Sequence, residues 1–445
     1  MSWVSQWVRL AAVFVVWPLA LRQYSLPEVL LWQVFNIVFL LQSLADFGLS
    51  SVISRYAAAA RFAPVPGGIS GGTAESRLAE LRSASERLYR RVAWCGGAVL
   101  LPVTAVIGVR VPELSVAGSG TTILGGWCAW AATAIAFVVN LRTGVWGAIL
   151  QGDGRLVRFR RVEALVGGLS TLMIVVGLIF VGGLLPMALA NLLASLALAV
   201  WCRRTLGRKS GESGGGLVAE IWSQAWRAGV GMLSTSGVAQ VAALVVAMHA
   251  SSGEAATYLL AWRVISILSQ LSQPPFYARL PEFGALAAAG SRDKLLRNAR
   301  IAIGRSLGLF SAGYVVLGFV GPELLQILGA QVDWASPTLW VLFGVTIFLE
   351  RYGAMQLQLD TLGHTVRWHI ANGVAGLIAV SAMLLTRETL GVLAVPAGLL
   401  LGNVAFYCPY ARHLSKKRFG WTWRSFDWPA TLFLVVVLIA SGVLL

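Results

Sequence analysis

Apolar stretches long enough to cross a lipid bilayer follow one another along almost the whole chain. A membrane-spanning helix needs about 20 predominantly apolar residues, and 57% of the 445 residues are hydrophobic while only 12% are charged. Lipid offers no partner for backbone polar groups, so only helices and closed barrels span it. A barrel would show short segments of alternating polarity. The pattern therefore predicts an all-α polytopic membrane protein.

Thirteen apolar segments can be placed on the chain. Their approximate bounds are 3–21, 27–54, 91–109, 121–147, 161–181, 183–201, 226–249, 256–278, 301–322, 337–358, 366–386, 390–411 and 428–445. The first lacks a basic leader and a small-residue cleavage site, so we expect a retained helix rather than a signal peptide. The four cysteines are scattered without metal-binding spacing, so neither a metal site nor a cofactor is predicted.

The basic residues concentrate on one side of this topology. Loops after even-numbered segments hold 26 of the 35 Lys and Arg residues, and loops after odd-numbered segments hold three. Positive residues accumulate on the cytoplasmic side of membrane proteins, so the N-terminus is predicted to be cytoplasmic. The net charge of +16 then reflects topology, and nucleic acid is not expected as a partner.

Two stretches of the chain match each other in register at a distance of 209 residues. The shift places Arg142 on Arg351 and Gly144 on Gly353, and it holds without a gap over 26 positions. Duplicated halves are typical of transporters. The predicted organisation is an N-terminal six-helix lobe, a cytoplasmic linker, a C-terminal six-helix lobe, and a basic loop with an extra apolar span. Their bounds are 1–202, 203–222, 223–412 and 413–445.

Three arginines, Arg142, Arg263 and Arg351, lie well inside apolar segments. Charge within the bilayer costs roughly 2.5 to 3.5 kcal/mol on insertion scales, so it usually marks a substrate or ion pathway. For Arg351 the alternative is a local structural ion pair, because it directly follows Glu350. Arg9 lies one or two turns into the first segment and is a fourth candidate. Its alternative role is to extend to the lipid headgroups.

Four short phrases stand at or after the ends of the second, fourth, eighth and tenth segments. They read ADFGLSSVISRY from 45 to 56, LQGDGR from 150 to 155, ARLP from 278 to 281 and DTLGH from 360 to 364. In order, spacing and topological place they resemble the Wzx-type polysaccharide flippases of the multidrug/oligosaccharidyl-lipid/polysaccharide (MOP) exporter superfamily. The resemblance covers residues 1 to about 412. The thirteenth segment departs from the twelve or fourteen helices common in that group.

The resemblance implies two six-helix lobes around a central cavity that opens alternately to each side. Such a protein carries an undecaprenyl-pyrophosphate-linked oligosaccharide from the cytoplasmic to the outer leaflet of the bacterial cytoplasmic membrane, for surface polysaccharide biosynthesis. Its partners would be that lipid-linked glycan, membrane lipids, and the polymerase and glycosyltransferases of the same pathway.

Arginine chemistry fits such a substrate. Its planar fork holds phosphate oxygens in pairs and stays charged at any relevant pH. Neutral amides suit sugar hydroxyls, although an inter-helix hydrogen bond is the alternative role for each amide. The predicted substrate-binding residues are Arg142, Arg263, Arg351, Arg9, Asn140 and Gln270.

Three other functions stay open. A lipid II-type flippase would share the fold and the basic cavity. A multidrug antiporter for cations would need acids inside the segments, and the candidates there are Asp46, Glu163 and Glu350. A membrane glycosyltransferase or polymerase would need a positioned carboxylate or histidine, but the outer acids and the four histidines show no such spacing. We therefore predict no catalytic residues and no enzyme activity.

Overall fold

The computed structural model describes residues 15–46, 49–62, 74–115, 120–207, 217–223, 225, 237–360 and 368–419, with four further positions between 433 and 440. All regular structure in these ranges is helical, which confirms the all-α prediction. Predictions for the first 14 residues, for most of the linker and for nearly all of 428–445 lie outside the described residues.

Seventeen helices can be numbered along the described chain. The first eight are α1 (15–23), α2 (Leu26–Ala45), α3 (Leu49–Phe62), α4 (Ala74–Arg110), α5 (Ile123–Leu150), α6 (Leu156–Phe180), α7 (Leu185–Leu206) and α8 (217–223). The others are α9 (Val238–His249), α10 (Ser252–Ser272), α11 (Pro274–Tyr277), α12 (Leu280–Ala288), α13 (Arg292–Leu328), α14 (Pro337–Asp360), α15 (Trp368–Leu390), α16 (Ala394–Gly402) and α17 (Cys408–Phe419).

The helices pack as two compact units. Unit 1 comprises Met1–Met248 with Leu328–Gln331, and unit 2 comprises His249–Ile327 with Val332–Leu445. Within unit 1, α5 packs against α4 and α7. Within unit 2, α14 packs against α10, α16 and α17. The lobe boundaries derived from the sequence stay a prediction.

Four helical stretches among the described residues are long and apolar enough to cross a membrane. They are Ile123–Phe180, Leu185–Leu206, Arg292–Leu328 and Trp368–Lys417. The first spans most of the predicted fourth and fifth segments, and the last spans most of the eleventh and twelfth. Where the two segments of each stretch meet, the backbone leaves helical geometry at a glycine with positive φ, Gly154 in the first and Gly391 in the last. The count of thirteen segments stays a prediction.

Two helices, α4 and α13, are each 37 residues long and change character along their length. A helix of that length extends about 55 Å, which exceeds the hydrocarbon thickness of about 30 Å. In both, the charged residues are concentrated in the first half and the apolar residues in the second. The charged first half of each helix is therefore continuous with an apolar span, the predicted third segment in α4 and the predicted ninth in α13.

The LQGDGR phrase forms a kinked turn, Gln151–Arg155, between α5 and α6. Gly154 has φ +81, a left-handed conformation that favours glycine. Gly152 is buried against α3, where an added Cβ would lie 2.3 Å from the Ser54 carbonyl oxygen. The structure therefore requires glycine at both positions, at Gly154 for its backbone conformation and at Gly152 for the close approach of α3.

Glu28 stabilises the start of α2 and also binds a neighbouring loop. Its Oε2 accepts hydrogen bonds from the Ser25 N–H and hydroxyl, each at 2.9 Å. Its Oε1 accepts one from the Thr121 hydroxyl at 2.5 Å. The side chain is 1% exposed. If Glu28 were removed, each of these donors would therefore be left without a partner at a site that water does not reach. Glu28 is one of the outer acids that a glycosyltransferase could use as a catalytic base, and the structure gives it a structural role instead.

We expect Glu28→Ala to lower the free energy of unfolding by about 2 kcal/mol. Loss of a helix cap costs roughly 1 kcal/mol and a stranded buried donor costs about as much again. Glu254 provides the control, because it forms a capping box with Ser251 at the exposed start of α10. Glu254→Ala should cost about half as much. Thermal unfolding in detergent measures both, and equal losses would refute the buried role of Glu28.

Candidate functional site

Arg142 lies exposed on α5 beside a hydrogen-bonded cluster on α4. Glu86 of α4 accepts hydrogen bonds from Trp146 Nε1 and from Arg82 Nε, each at 3.0 Å. Burial acts to raise the pKa of Glu86, but these two bonds and the charges of Arg82 and Arg142 outweigh it, so its pKa is lowered. Arg142 is therefore coupled to Glu86 by charge without a hydrogen bond in the described structure.

Arg82 holds this cluster in place. Its guanidinium also donates to the carbonyl oxygens of Leu206 and Gly207 at the end of α7. Cations at a helix C-terminus bind carbonyls that have no partner within the helix and interact favourably with its dipole. The first half of α4 is thus fixed to both α5 and α7, which positions the surroundings of Arg142.

A second polar cluster lies where α2 ends and α3 begins. Asp46 accepts hydrogen bonds from the Ser50 N–H at 3.1 Å, from the Ser50 hydroxyl at 3.0 Å, and from the Tyr89 hydroxyl. The first of these bonds caps α3. The structure thus gives Asp46 a role at a helix boundary and provides its carboxylate with neutral donors.

The two glycines of the sequence repeat each lie near a tyrosine of the same unit. The hydroxyl of Tyr89 lies 3.8 Å from where a Cβ would stand on Gly144, which is ordinary packing distance. The ring of Tyr407 lies 2.6 Å from the corresponding position on Gly353, so only this contact excludes a side chain. Each glycine is two residues from its arginine, about 200° around the helix, so these contacts lie on a different face from Arg142 and Arg351.

Arg351 on α14 is half-buried and weakly paired. Its Nη2 lies 3.4 Å from Glu350 Oε1, whereas charge-assisted bonds between these groups are normally about 2.7 to 2.9 Å. Its Nε is buried and has no hydrogen-bond partner among the described residues. Tyr277 and Tyr407 lie within electrostatic reach of both Glu350 and Arg351. The guanidinium can therefore accept a further anionic ligand.

Among the described residues, Arg263 on α10 also lacks hydrogen-bond acceptors, and it has no acid beside it. It is half-buried, its Nε is buried without an acceptor, and it makes no ion pair within the described part of the chain. The preceding residue, Trp262, packs on Phe343 of α14 with ring centroids 5.5 Å apart. Gln270 is exposed seven residues further along α10 and so lies on the same helix face as Arg263. This face presents donors to a ligand with acceptor oxygens.

The structure does not group the other two predicted substrate-binding residues, Asn140 and Arg9, with an arginine. Asn140 is half-buried on α5, but two residues correspond to about 200° around a helix, so it does not share a face with Arg142. Arg9 lies outside the described residues. The structure thus supports a shared face for Arg263 and Gln270, and no such pairing for Asn140 and Arg142.

No family model matches the chain, and no curated protein sequence matches it. Solved structures do. A multidrug resistance MATE family transporter of the MOP superfamily in its inward-facing conformation has a TM-score of 0.64 at 14% identity, with 96% of this chain and 94% of that one covered. This chain has the same fold as that transporter.

Two further structures agree with this assignment. The lipid II flippase MurJ in its inward closed conformation has a TM-score of 0.61 at 11% identity, covering 99% of this chain and 98% of that one. An outward-facing MATE transporter has a TM-score of 0.53 at 16% identity, covering 97% and 94%. The shared fold agrees with the four helical stretches that are long and apolar enough to cross a membrane. Identities this low show the fold and leave the substrate to be argued from the residues.

The sequence did not predict which charged and polar groups lie near the repeated arginines. Glu86 near Arg142 comes from α4, and Tyr277 and Tyr407 near Arg351 come from different segments of unit 2. One signal was present, since Glu86 and Tyr89 are three residues apart and therefore share a face of α4. Nothing in the linear sequence indicated that this face packs against α5.

Proposed function

We propose that this chain is a flippase for a lipid-linked oligosaccharide of the undecaprenyl-pyrophosphate type. It would act in the bacterial cytoplasmic membrane with its N-terminus in the cytoplasm. The observation that supports this most is that Arg263 and Arg351 each have a buried Nε without an acceptor in the described structure. A buried donor without a partner costs about 1 to 3 kcal/mol, and a phosphate oxygen would satisfy it.

Two of the three acids in the apolar segments are already engaged. Asp46 accepts three hydrogen bonds from Ser50 and Tyr89. Glu163 pairs with Arg160 at 2.6 Å, whereas Glu350 has a long contact of 3.4 Å with the adjacent Arg351, whose charge offsets that of Glu350 for a cationic ligand. A carrier of organic cations would need a carboxylate that is available to the drug. The charge arrangement therefore favours an anionic substrate over the cationic drugs of a multidrug antiporter.

A lipid II-type flippase is the second candidate, because the MurJ structure resembles the chain nearly as well as the MATE structure does. Both flippase candidates share a polyprenyl pyrophosphate and differ in the glycan. The multidrug antiporter is the third, on the likeness to MATE transporters alone.

Reconstitution in vesicles tests these functions together. The purified chain is placed in liposomes that contain a lipid-linked oligosaccharide, a lipid II analogue or an entrapped cationic dye. We expect the oligosaccharide lipid to become accessible in the opposite leaflet, and the dye to stay inside. Dye release without lipid translocation would establish the antiporter, and translocation restricted to the lipid II analogue would establish the second candidate.

We expect Arg142→Ala to slow translocation of the oligosaccharide lipid on the order of tenfold, because one charge-assisted contact is lost. Arg142→Lys should retain part of the rate, since it keeps the charge and loses the fork. Arg158→Ala is the control, because Arg158 is exposed near the start of α6 and is predicted to lie in a cytoplasmic loop. A full rate in Arg142→Ala would remove Arg142 from the substrate path.

A further inference from the structure

The first half of α13 carries an exposed set of cations. Lys294, Arg297 and Arg305 lie on one side of the helix and Arg300 lies on its flank, about 120° around from Lys294, and all four are exposed. None of them makes an ion pair or a side-chain hydrogen bond within the described part of the chain. The acids beside them are Asp293 and Glu282 of α12, and Glu282 binds Asn298 but is already paired with Arg279. This side of α13 therefore keeps a net positive charge.

The same face continues as an apolar stripe. Ile301, Leu309 and Val316 are exposed by 43%, 54% and 57% and follow Lys294 at helical spacing. The opposite face, with Leu295 and Phe310, is buried inside unit 2. Cations thus stand where an exposed apolar surface begins, and this is the position of the headgroup layer on a membrane-spanning helix.

The corresponding helix of unit 1 differs in charge. α4 is also 37 residues long, but its first half includes Glu75, Glu80 and Glu86 among its arginines. Arg82 there is bonded to Glu86 and to the end of α7. The uncompensated basic face is therefore a feature of α13 and is not shared by both long helices.

We propose that this face of α13 binds the phosphate headgroups of anionic phospholipids, such as phosphatidylglycerol, at the cytoplasmic surface. From Lys294 to Arg305 the helix rises roughly 16 Å, which is longer than one pyrophosphate, so the set matches several neighbouring headgroups rather than a single polyprenyl carrier. Basic residues near an anionic leaflet attract it, and the attraction falls as salt screens it. This role requires only a membrane protein and is independent of the proposed flippase activity.

Native mass spectrometry of the detergent-solubilised chain tests the proposal. The protein is titrated with short-chain phosphatidylglycerol, with zwitterionic phosphatidylcholine as reference. We expect Arg297→Gln/Arg300→Gln to bind phosphatidylglycerol on the order of tenfold more weakly. The control Arg87→Gln/Arg90→Gln removes the same charge at the same spacing from exposed positions of α4, and it should change binding by less than about twofold.

A charge-preserving variant separates binding from folding. Arg297→Lys/Arg300→Lys should retain phosphatidylglycerol, and raising the salt concentration should weaken wild-type binding. Equal losses in the α13 and α4 variants, or no loss in either, would overturn the assignment. So would a variant that keeps phosphatidylglycerol and loses only a polyprenyl pyrophosphate, because the occupant would then be the lipid carrier.

Discussion

Replacing Arg351 with alanine is expected to reduce translocation of a lipid-linked oligosaccharide roughly 30- to 100-fold while the protein still inserts. The guanidinium has a buried Nε without a partner in the described structure, and its contact with Glu350 is long at 3.4 Å. A bond to a charged phosphate contributes about 1.5 to 3 kcal/mol, and a fork that makes two such bonds loses most of this on truncation. The rate in proteoliposomes measures the effect directly.

Glu350→Gln distinguishes substrate binding from a structural ion pair. If Arg351 serves mainly to neutralise Glu350, removing the carboxylate should damage the protein as much as Arg351→Ala does. If Arg351 binds the substrate, Glu350→Gln should leave translocation intact or faster. Arg387→Ala is the matched control within unit 2, because Arg387 is exposed and 3.8 Å from Glu388. Full activity in Arg351→Ala at normal protein levels would contradict the assignment.

The second large effect is expected at Gly152, in the kinked turn between α5 and α6. A Cβ there would lie 2.3 Å from the Ser54 carbonyl oxygen, 2.6 Å from Ala57 Cβ and 2.9 Å from the Ala58 nitrogen. Two of these atoms are backbone, so the clash cannot be relieved by rotating a side chain. We expect Gly152→Ala to lower the free energy of unfolding by about 3 kcal/mol, the upper part of the usual range for overpacking.

Gly167→Ala is the control for this prediction. Gly167 lies on α6, the helix that follows the same turn, and nothing stands within 4 Å of its added Cβ. Alanine also favours a helix over glycine by up to about 1 kcal/mol, so Gly167→Ala should be neutral or stabilising. Thermal unfolding in detergent compares the two, and an unchanged melting temperature in Gly152→Ala would show that α3 and the turn are not packed as described.

The helical class and the position of the main turns could be predicted from the sequence. Apolar runs near 20 residues long determine the class, because the bilayer leaves few alternatives. The LQGDGR phrase marked the turn after α5, and the structure explains it through Gly152 and Gly154. The close approach of α3 to Gly152 was not predicted, since packing between helices leaves no signal in hydropathy.

The contacts around the sequence repeat could be predicted only in part. The repeat that aligns Arg142 with Arg351 also aligns Gly144 with Gly353, and the structure adds the tyrosine beside each glycine. That contact depends on how helices pack within each unit, which periodicity along one helix does not reveal. Asp46 had been weighed as a cation site, and its bonds to Ser50 and Tyr89 became visible only once α3 and α4 were placed.

The central claim is translocation of a lipid-linked glycan, and a deletion strain of the source organism tests it most directly. Surface polysaccharide and the leaflet distribution of the lipid-linked intermediate are measured in the same cells. We expect complete oligosaccharide lipid to accumulate on the cytoplasmic leaflet and surface glycan to disappear. The wild-type chain should reverse both effects, and Arg351→Ala should not. Repeat units that still reach the outer leaflet and remain unpolymerised would contradict it, because the chain would then act as a polymerase or ligase.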